Sequence, residues 1–367
     1  MSWVLAFVGF ALLVILHELG HFWAAKSVGM RVEKFSLFFP PTLFSKKRGE
    51  TEYAIGAIPA GGYVKISGMN PDEDLPDEVR TRAYYSQPVW KRIVVIAAGP
   101  AMNLILAFVL MFVFFALIGA ETGTSKVGVM ETNYPAAKVL ESGDRVVAVD
   151  GKRGGPAVFA KQIATHKCPG DARTEGCKAA QPVQLTVVRD GRQRTFEITP
   201  IYDPAAPNGD GEDPGRSRLG FSYQAGPRET LPFAESLDVT ADRFWYITKT
   251  TLTLPARLLD TEKRKEISGV VGSYETTRQT ILYDLAQVVG ILAIISLSLA
   301  IVNLFPFLPL DGGHIFWAIV EKVRGRPVAF SVMERAGVVG FMLVILIFLV
   351  GLTNDIDRLS GEGFQVR

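Results

Sequence analysis

Histidine and cysteine are scarce in this chain of 367 residues, with four of the first and two of the second. Cys168, Cys177 and the neighbouring His166 make an incomplete ligand set, which argues against a cysteine-based zinc centre in that stretch. Charge is missing where a targeting leader would carry it. Trp3–Leu16 has no charged residue and nothing basic precedes it. The N-terminal apolar run is therefore expected to be retained as a helix and not cleaved as a signal peptide. Net charge is small as well: 39 basic against 37 acidic residues leave +2. The distribution of those charges needs no nucleic-acid partner to explain it.

Apolar residues, by contrast, make up 48% of the chain, and the mean hydropathy is +0.22. Four stretches stand out: Ser2–Ala25, Ile93–Ile118, Ile281–Leu304 and Val332–Leu352. Each is long enough to cross about 30 Å of hydrocarbon as a helix. The segment between the first two is rich in Lys and Arg, from Lys26 and Arg31 through Lys46-Lys47-Arg48 to Lys91 and Arg92. Lys322, Arg324 and Arg326 lie between the last two. The excess of positive charge on cytoplasmic loops places these segments inside and both termini outside. The long middle segment is then outside as well.

At the end of the first apolar run stands His17-Glu18-Leu19-Gly20-His21. Histidines four apart share one helical face and can bind one zinc, with Glu18 beside it as a base. Such a motif is a modest signal in a soluble helix. Within a membrane, ionisable side chains cost on the order of 2.5–3.5 kcal/mol each and are retained for function. A catalytic zinc usually takes three protein ligands. The third is sought in Asn303–His314, where Pro306 and Pro309 break the helix and Gly312-Gly313 permits close backbone approach. Residue chemistry leaves two candidates open there, Asp311 and His314. The first and third apolar stretches run in the same direction, so His17, roughly 21 Å of helix beyond Trp3, and Asp311 are expected on the same cytoplasmic side.

Elsewhere the pattern changes to strands. Thr51–Ser67 carries Tyr53-Ala54-Ile55 and Tyr63-Val64-Lys65-Ile66 on either side of Pro59-Ala60-Gly61-Gly62, a hairpin-like arrangement. Asn70–Glu78 reads as a solvated linker. A domain of roughly eighty residues, near Thr124–Ile201, contains Gly143–Gly151 (GDRVVAVDG), which resembles a strand and turn of PDZ domains. Val183–Val188 and Arg194–Ile198 flank Asp190-Gly191, a hairpin signal. Asp203–Arg218 is expected to be a flexible loop, and Phe233–Leu259 to form helices near the outer membrane surface. Cys168 and Cys177 fall in the segment placed outside. A disulfide between them is expected there, worth on the order of 2–3 kcal/mol to the loop.

The combination of HELGH in the first apolar stretch, Gly99-Pro100-Ala101-Met102-Asn103, a PDZ-like insert and Asn303–Gly313 (NLFPFLPLDGG) resembles the bacterial site-2 protease family of intramembrane zinc metalloproteases. The similarity covers nearly the whole chain in order and spacing. It implies a polytopic α-helical membrane protein with four transmembrane helices, a membrane-associated β-loop and an inserted extracytoplasmic PDZ-like β-rich domain. The segments would be 1–123 (HExxH, β-loop, GPxxN), 124–202 (PDZ-like), 203–280 (loop and membrane-surface helices) and 281–367 (LDGG). The resemblance implies one Zn2+ held by His17, His21 and Asp311, with Glu18 as general base and His314 in a supporting role. Asn303, and Gly61, Gly62 and Tyr63 of the β-loop, would hold substrate backbone, while Gly99, Pro100 and Asn103 would pack helices beside the site. Ser268–Gly272 (SGVVG) is similar to a family segment but has Val270 where proline is usual, so no role is assigned to it.

What the resemblance implies for function is cleavage, in the inner membrane, of single-pass proteins such as anti-sigma factors or signal-peptide remnants. An upstream site-1-type protease would act first. A prenyl-protein type of HExxH protease fits less well, since neither the Asp-Gly-Gly ligand nor the insert is its pattern. A catalytically inactive scaffold that binds peptides is the alternative from another class. A metal transporter is disfavoured, because three strong ligands leave zinc no evident exit.

Overall fold

Helix α1 (Ser2–Ser27) is apolar around almost its whole circumference, and Trp3, Val4, Phe7, Val8 and Leu12 point outward from the protein. A helix of that kind is buried in protein or in lipid. In the computed structural model, which describes residues 1–70, 73–170, 174–203, 206, 215–258, 260, 264 and 267–360, three helices are long and apolar enough to cross a membrane. They are α1, Val89–Ile118 and Ser331–Ser360. This is a membrane protein with a separate β-rich domain. The chain divides into two compact units, Met1–Ile118 with Leu231–Arg367, and Gly119–Thr230.

In the first unit α1 is followed by β1 (Val32–Arg48) and β2 (Thr51–Ile66). The sequence suggested that the two halves of 51–67 pair with each other. Instead β1 lies between them: Phe35 stands opposite Val64 on one side and Tyr53 on the other, and Leu37 opposite Gly62 and Ile55. Beyond Pro40-Pro41, β1 folds back, so that Thr42–Arg48 pairs with Thr51–Gly56. The local Pro-Ala-Gly-Gly signal marks a turn correctly but gives no information on a partner twenty residues upstream. Among the described residues Gly62–Ile66 pairs with β1 alone, which leaves it as an edge.

Helix α2 (Val89–Val113) runs on into the turn Phe114–Ile118. Its buried stripe of Arg92, Val95, Ile96, Gly99, Pro100, Asn103, Ala107 and Met111 follows helical spacing. The upper part of the stripe joins Phe22, Ala25, Val32 and Ile66 in one core cluster. The lower part packs with Ala293, Leu297 and Ile301 in another.

The second unit holds strands β3 (Ala120–Met130), β4 (Arg145–Val149), β5 (Val183–Arg189), β6 (Arg192–Ile198), β7 (Ile201–Asp203), β8 (Arg216–Arg218) and β9 (Phe221–Glu229), with helix α3 (Pro156–Ala164). Five of them form a sheet in the order β9-β3-β4-β5-β6, with Lys152–Arg153 beside β4, while β7 pairs with β8. Antiparallel β5 and β6 meet at Asp190-Gly191. Val127, Val146, Val149, Phe159, Leu185, Val187 and Ile198 form the core. Cys168 and Cys177 are joined in a disulfide, with Cα atoms 6.1 Å apart. Most of the loop read at Asp203–Arg218 lies outside the described residues, and its two ends are the paired β7 and β8.

The chain returns to the first unit as α4 (Phe233–Leu252), α5 (Val270–Tyr283), α6 (Gln287–Asn303), α7 (Asp311–Arg324) and α8 (Phe330–Ser360). The third apolar stretch thus yields a helix of 17 residues, shorter than the run Ile281–Leu304 suggested. The break falls at Asp284, which is extended (φ −160°, ψ 95°) and accepts the Ala286 N–H on its carboxylate at 3.1 Å, restarting the helix. Helix α4 packs Phe244 against Phe108 and Phe233 against Phe112 of the α2 region. Asp355 on α8 is buried and accepts the Gly269 and Gly272 N–H groups at 3.1 and 2.7 Å. The stretch Ser268–Gly272 therefore serves as the start of α5, capped from another helix.

Candidate metal centre

Helical spacing puts His17 and His21 one turn apart on α1, and both side chains are buried. His21 Nδ1–H donates to the Val95 carbonyl at 2.9 Å. That bond fixes the tautomer and turns Nε2, with its lone pair, toward His17. A side chain on Gly99 of α2 would fall on the His21 ring, and one on Gly20 would meet the backbone at Ala98 and Gly99. Glycine at both positions is what allows α1 and α2 to close on each other and wedge the imidazole between them.

Asp311 comes from the other half of the unit. It opens α7 after the turn Leu304–Leu310. Gly312 and Gly313 lie against the backbone of Leu304, Phe305, Phe307 and Leu308, where a Cβ would not fit. The prolines end α6 and the glycines let α7 start at once, which brings Asp311 back to α1.

Three ligand atoms converge there. His17 Nε2 and His21 Nε2 are 3.3 Å apart, and Asp311 Oδ2 lies 3.2 Å from the first and 3.4 Å from the second. Zinc bonds of about 2.0–2.1 Å in tetrahedral geometry place neighbouring ligand atoms roughly 3.3 Å apart. The three spacings therefore match the edges of one face of a zinc tetrahedron. Two neutral nitrogens and a carboxylate are also the donor chemistry zinc accepts, so the residues fit the ion. Among the described residues these three form the one group of His, Cys, Asp and Glu able to hold a metal. His314, three residues further along α7, is not part of it. In the other unit, His166 meets Asp150 at 2.8 Å and the cysteines are bonded to each other.

A cavity of about 500 Å³ opens beside this cluster, lined by His17, Glu18, His21, Asp311, Asn303 and the β2 edge at Gly61–Val64. Glu18 follows the first histidine and borders Gly62, where a Cβ would stand 3.0 Å from the Glu18 Cγ. Asn303 is the last residue of α6 and enters the same cavity. Tyr63 stacks on Phe39 across the strands with ring centres 6.0 Å apart. Asn103 is one turn below Gly99 and fully buried; its backbone carbonyl accepts the Ser296 Oγ–H at 3.0 Å. Sequence reasoning missed the Val95 carbonyl, which carries no side-chain signal. It also read Arg92 only as an orientation charge, whereas Arg92 is buried against Glu321.

An apolar-helix protein with a His-His-Asp centre and a glutamate beside it is a membrane metallohydrolase in its chemistry. The chain belongs to peptidase family M50, whose pattern it matches over residues 5–347. Similar chains include the zinc metalloprotease Rip1 of Mycobacterium tuberculosis, 29% identical over 401 residues covering 97% of this chain and 98% of the relative. Rip1 of Mycobacterium bovis is 30% identical over 396 residues with the same coverage. A Rhizobium meliloti chain, whose name also carries the words zinc metalloprotease, is 29% identical over 365 residues and 95% of each chain. The protein is a zinc metalloprotease.

Proposed function

We propose that this protein is an intramembrane endopeptidase that cuts single-pass transmembrane proteins inside the bilayer. One observation supports this above the others: His17, Glu18 and His21 lie within an apolar helix and meet Asp311 beside a cavity bounded by a strand edge. In this reading His17, His21 and Asp311 hold zinc, which when bound supplies Lewis-acid polarisation of the scissile carbonyl and acidifies a water. Glu18 takes a proton from water and returns it to the leaving amine. Asn303 and the edge at Gly61, Gly62 and Tyr63 accept a substrate that has unwound locally. Their polar groups replace hydrogen bonds that hydrocarbon cannot offer. Gly99, Pro100 and Asn103 keep α1 and α2 close enough to hold the histidine ring.

Four helices cross the bilayer in this reading. The 17 residues of α6 span about 26 Å, and local thinning of the bilayer or flanking residues accommodate the shortfall. The basic segments 26–92 and 322–326 face the cytoplasm, where the site lies, and the termini and the PDZ-like domain face outward. That outer domain acts as a gate. It admits substrates after an upstream site-1-type protease has trimmed them, or it binds the new C-terminus as an added strand. The segments drawn from the sequence are 1–123, 124–202, 203–280 and 281–367; the β-rich unit that carries the PDZ-like stretch runs Gly119–Thr230.

The test compares membrane proteomes of cells carrying the wild-type chain or Glu18→Gln. The variant is expected to keep its zinc and lose on the order of 10²–10⁴ in rate, so that a trimmed single-pass protein accumulates. Cleavage at the wild-type rate would remove Glu18 as the base. A variant indistinguishable from wild type in every membrane protein would favour the peptide-binding scaffold instead.

A further inference from the structure

We infer that Arg92 and Glu321 form a positioning pair for the metal centre, setting the place of Asp311 through the helix that carries it. The inference rests on the zinc-protease reading above. Arg92 Nη1 and Nη2 bond Glu321 Oε2 and Oε1 at 2.9 and 2.5 Å, a two-pronged contact. Their side chains are only 11% and 23% exposed. The Tyr84 ring closes one face of the guanidinium, its centre 5.9 Å from the Arg92 Cζ. A paired fork of this kind fixes orientation as well as distance, which a lysine ammonium would not do.

Glu321 lies ten residues after Asp311 on α7, roughly 15 Å along the axis. The ligand end of α7 rests on the turn Leu304–Leu310 through Gly312 and Gly313. The other end closes at Gly325, left-handed at φ 67°, with nothing that a Cβ there would touch. Glu321 is thus the charged tether near the far end of a 14-residue helix whose first residue is a ligand.

The helix that receives it also holds the histidine side. Arg92, Val95 and Gly99 lie on one stripe of α2. Val95 orients His21 by hydrogen bond, Gly99 seats its ring, and Arg92 anchors α7. Both halves of the ligand set are therefore referenced to a single rigid element. Loss of the fork leaves the ligands in place chemically but lets α7 slide or turn relative to α2.

The experiment uses the full-length chain in detergent micelles, loaded with zinc, and follows zinc transfer to a chromophoric chelator alongside peptide cleavage. Glu321→Gln and Arg92→Lys are each expected to release zinc about tenfold faster or more, the low end for groups that orient metal ligands. Cleavage should suffer in kcat more than in KM. The reversed pair, Arg92→Glu with Glu321→Arg, is expected to recover much of the zinc retention. Glu275→Gln is the control: it breaks the ion pair with Arg278 on α5 and should leave zinc release at the wild-type rate. Wild-type release from both Arg92→Lys and Glu321→Gln overturns the inference. So does equal loss from Glu275→Gln, which would mean that any broken ion pair loosens the protein. A wild-type chain that binds no zinc would overturn the metal reading itself and this inference with it.

Discussion

In the membrane unit, two imidazole nitrogens and one carboxylate oxygen lie 3.2–3.4 Å from one another around a shared point. In the β domain, His166 Nε2 and Asp150 meet at 2.8 Å, and the same carboxylate also accepts the Gln162 amide and the Gln184 N–H, each at 2.9 Å. His166 Nδ1 faces the Gln181 carbonyl at 3.1 Å. Both places join a histidine to an aspartate, yet they are built differently. Asp150 is held by a side-chain amide, a backbone N–H and one imidazole, whereas Asp311 faces two imidazole nitrogens at the spacing of zinc ligands. One histidine–aspartate distance does not separate a metal site from a structural hydrogen-bonded cluster; the number and kind of ligand atoms that converge does.

Exchanging the two aspartates' fates is the strongest way to break this comparison. Asp311→Ala is expected to abolish stoichiometric zinc and cleavage together, because two histidines alone leave the catalytic geometry incomplete. Asp150→Ala should keep both. Metal content by elemental analysis, with cleavage of a model substrate, reads the difference, and chelator treatment of the wild type should reproduce the Asp311→Ala phenotype reversibly. An Asp311→Ala protein that still carries one tightly held zinc would move the third ligand elsewhere, with His314 the first place to look.

The two sites also differ in how much of them the sequence discloses. His17 and His21 are legible because i and i+4 on a helix share a face wherever the helix lies. Asp311 is only half legible: residue chemistry leaves it level with His314, and it is the family resemblance of the LDGG stretch that selects it. The Arg92–Glu321 pair is not legible: its members are 229 residues apart, Arg92 looks like an ordinary charge before an apolar stretch, and Glu321 like one of the charges between the last two. The Val95 carbonyl has no side-chain signature at all. The pairing of β1 was hidden as well. Val32–Arg48 carries no expectation from the sequence, and the chain uses Pro40-Pro41 there as the corner between two pairings of one long strand. In the β domain the strands around Asp190-Gly191 were legible from a two-residue turn, but nothing local ties Gln162, His166 and Gln184 to Asp150.

A smaller effect separates the units by covalent chemistry. The loop closed by Cys168 and Cys177 belongs to the β domain alone. Replacing both by serine is expected to lower that domain's stability by about 2–3 kcal/mol on the entropic account. Limited proteolysis or hydrogen exchange in the Lys167–Pro200 region would show it, while zinc content stays unchanged. Zinc loss in the double variant would mean that the two units are energetically coupled, a sharper result than independence.

The smallest effect concerns acid. Burial alone would raise the Asp150 carboxyl, but the hydrogen bonds from Gln162, Gln184 and His166 outweigh it and hold the group below the ordinary aspartate range. A carboxylate with a depressed folded value stabilises fully above the unfolded value of about 3.9 and loses that contribution as pH falls through the folded value. The Gln184 amide, bonded to Asp150 Oδ1, is the natural reporter. Its exchange protection is expected to hold from neutral pH down to the ordinary aspartate range and then fall with further acid. In Asp150→Asn the same amide should start less protected and show no such step. If the step persists in Asp150→Asn, another carboxylate of the domain carries it. The first to examine is Asp144, which the Arg189 guanidinium holds low in the same way.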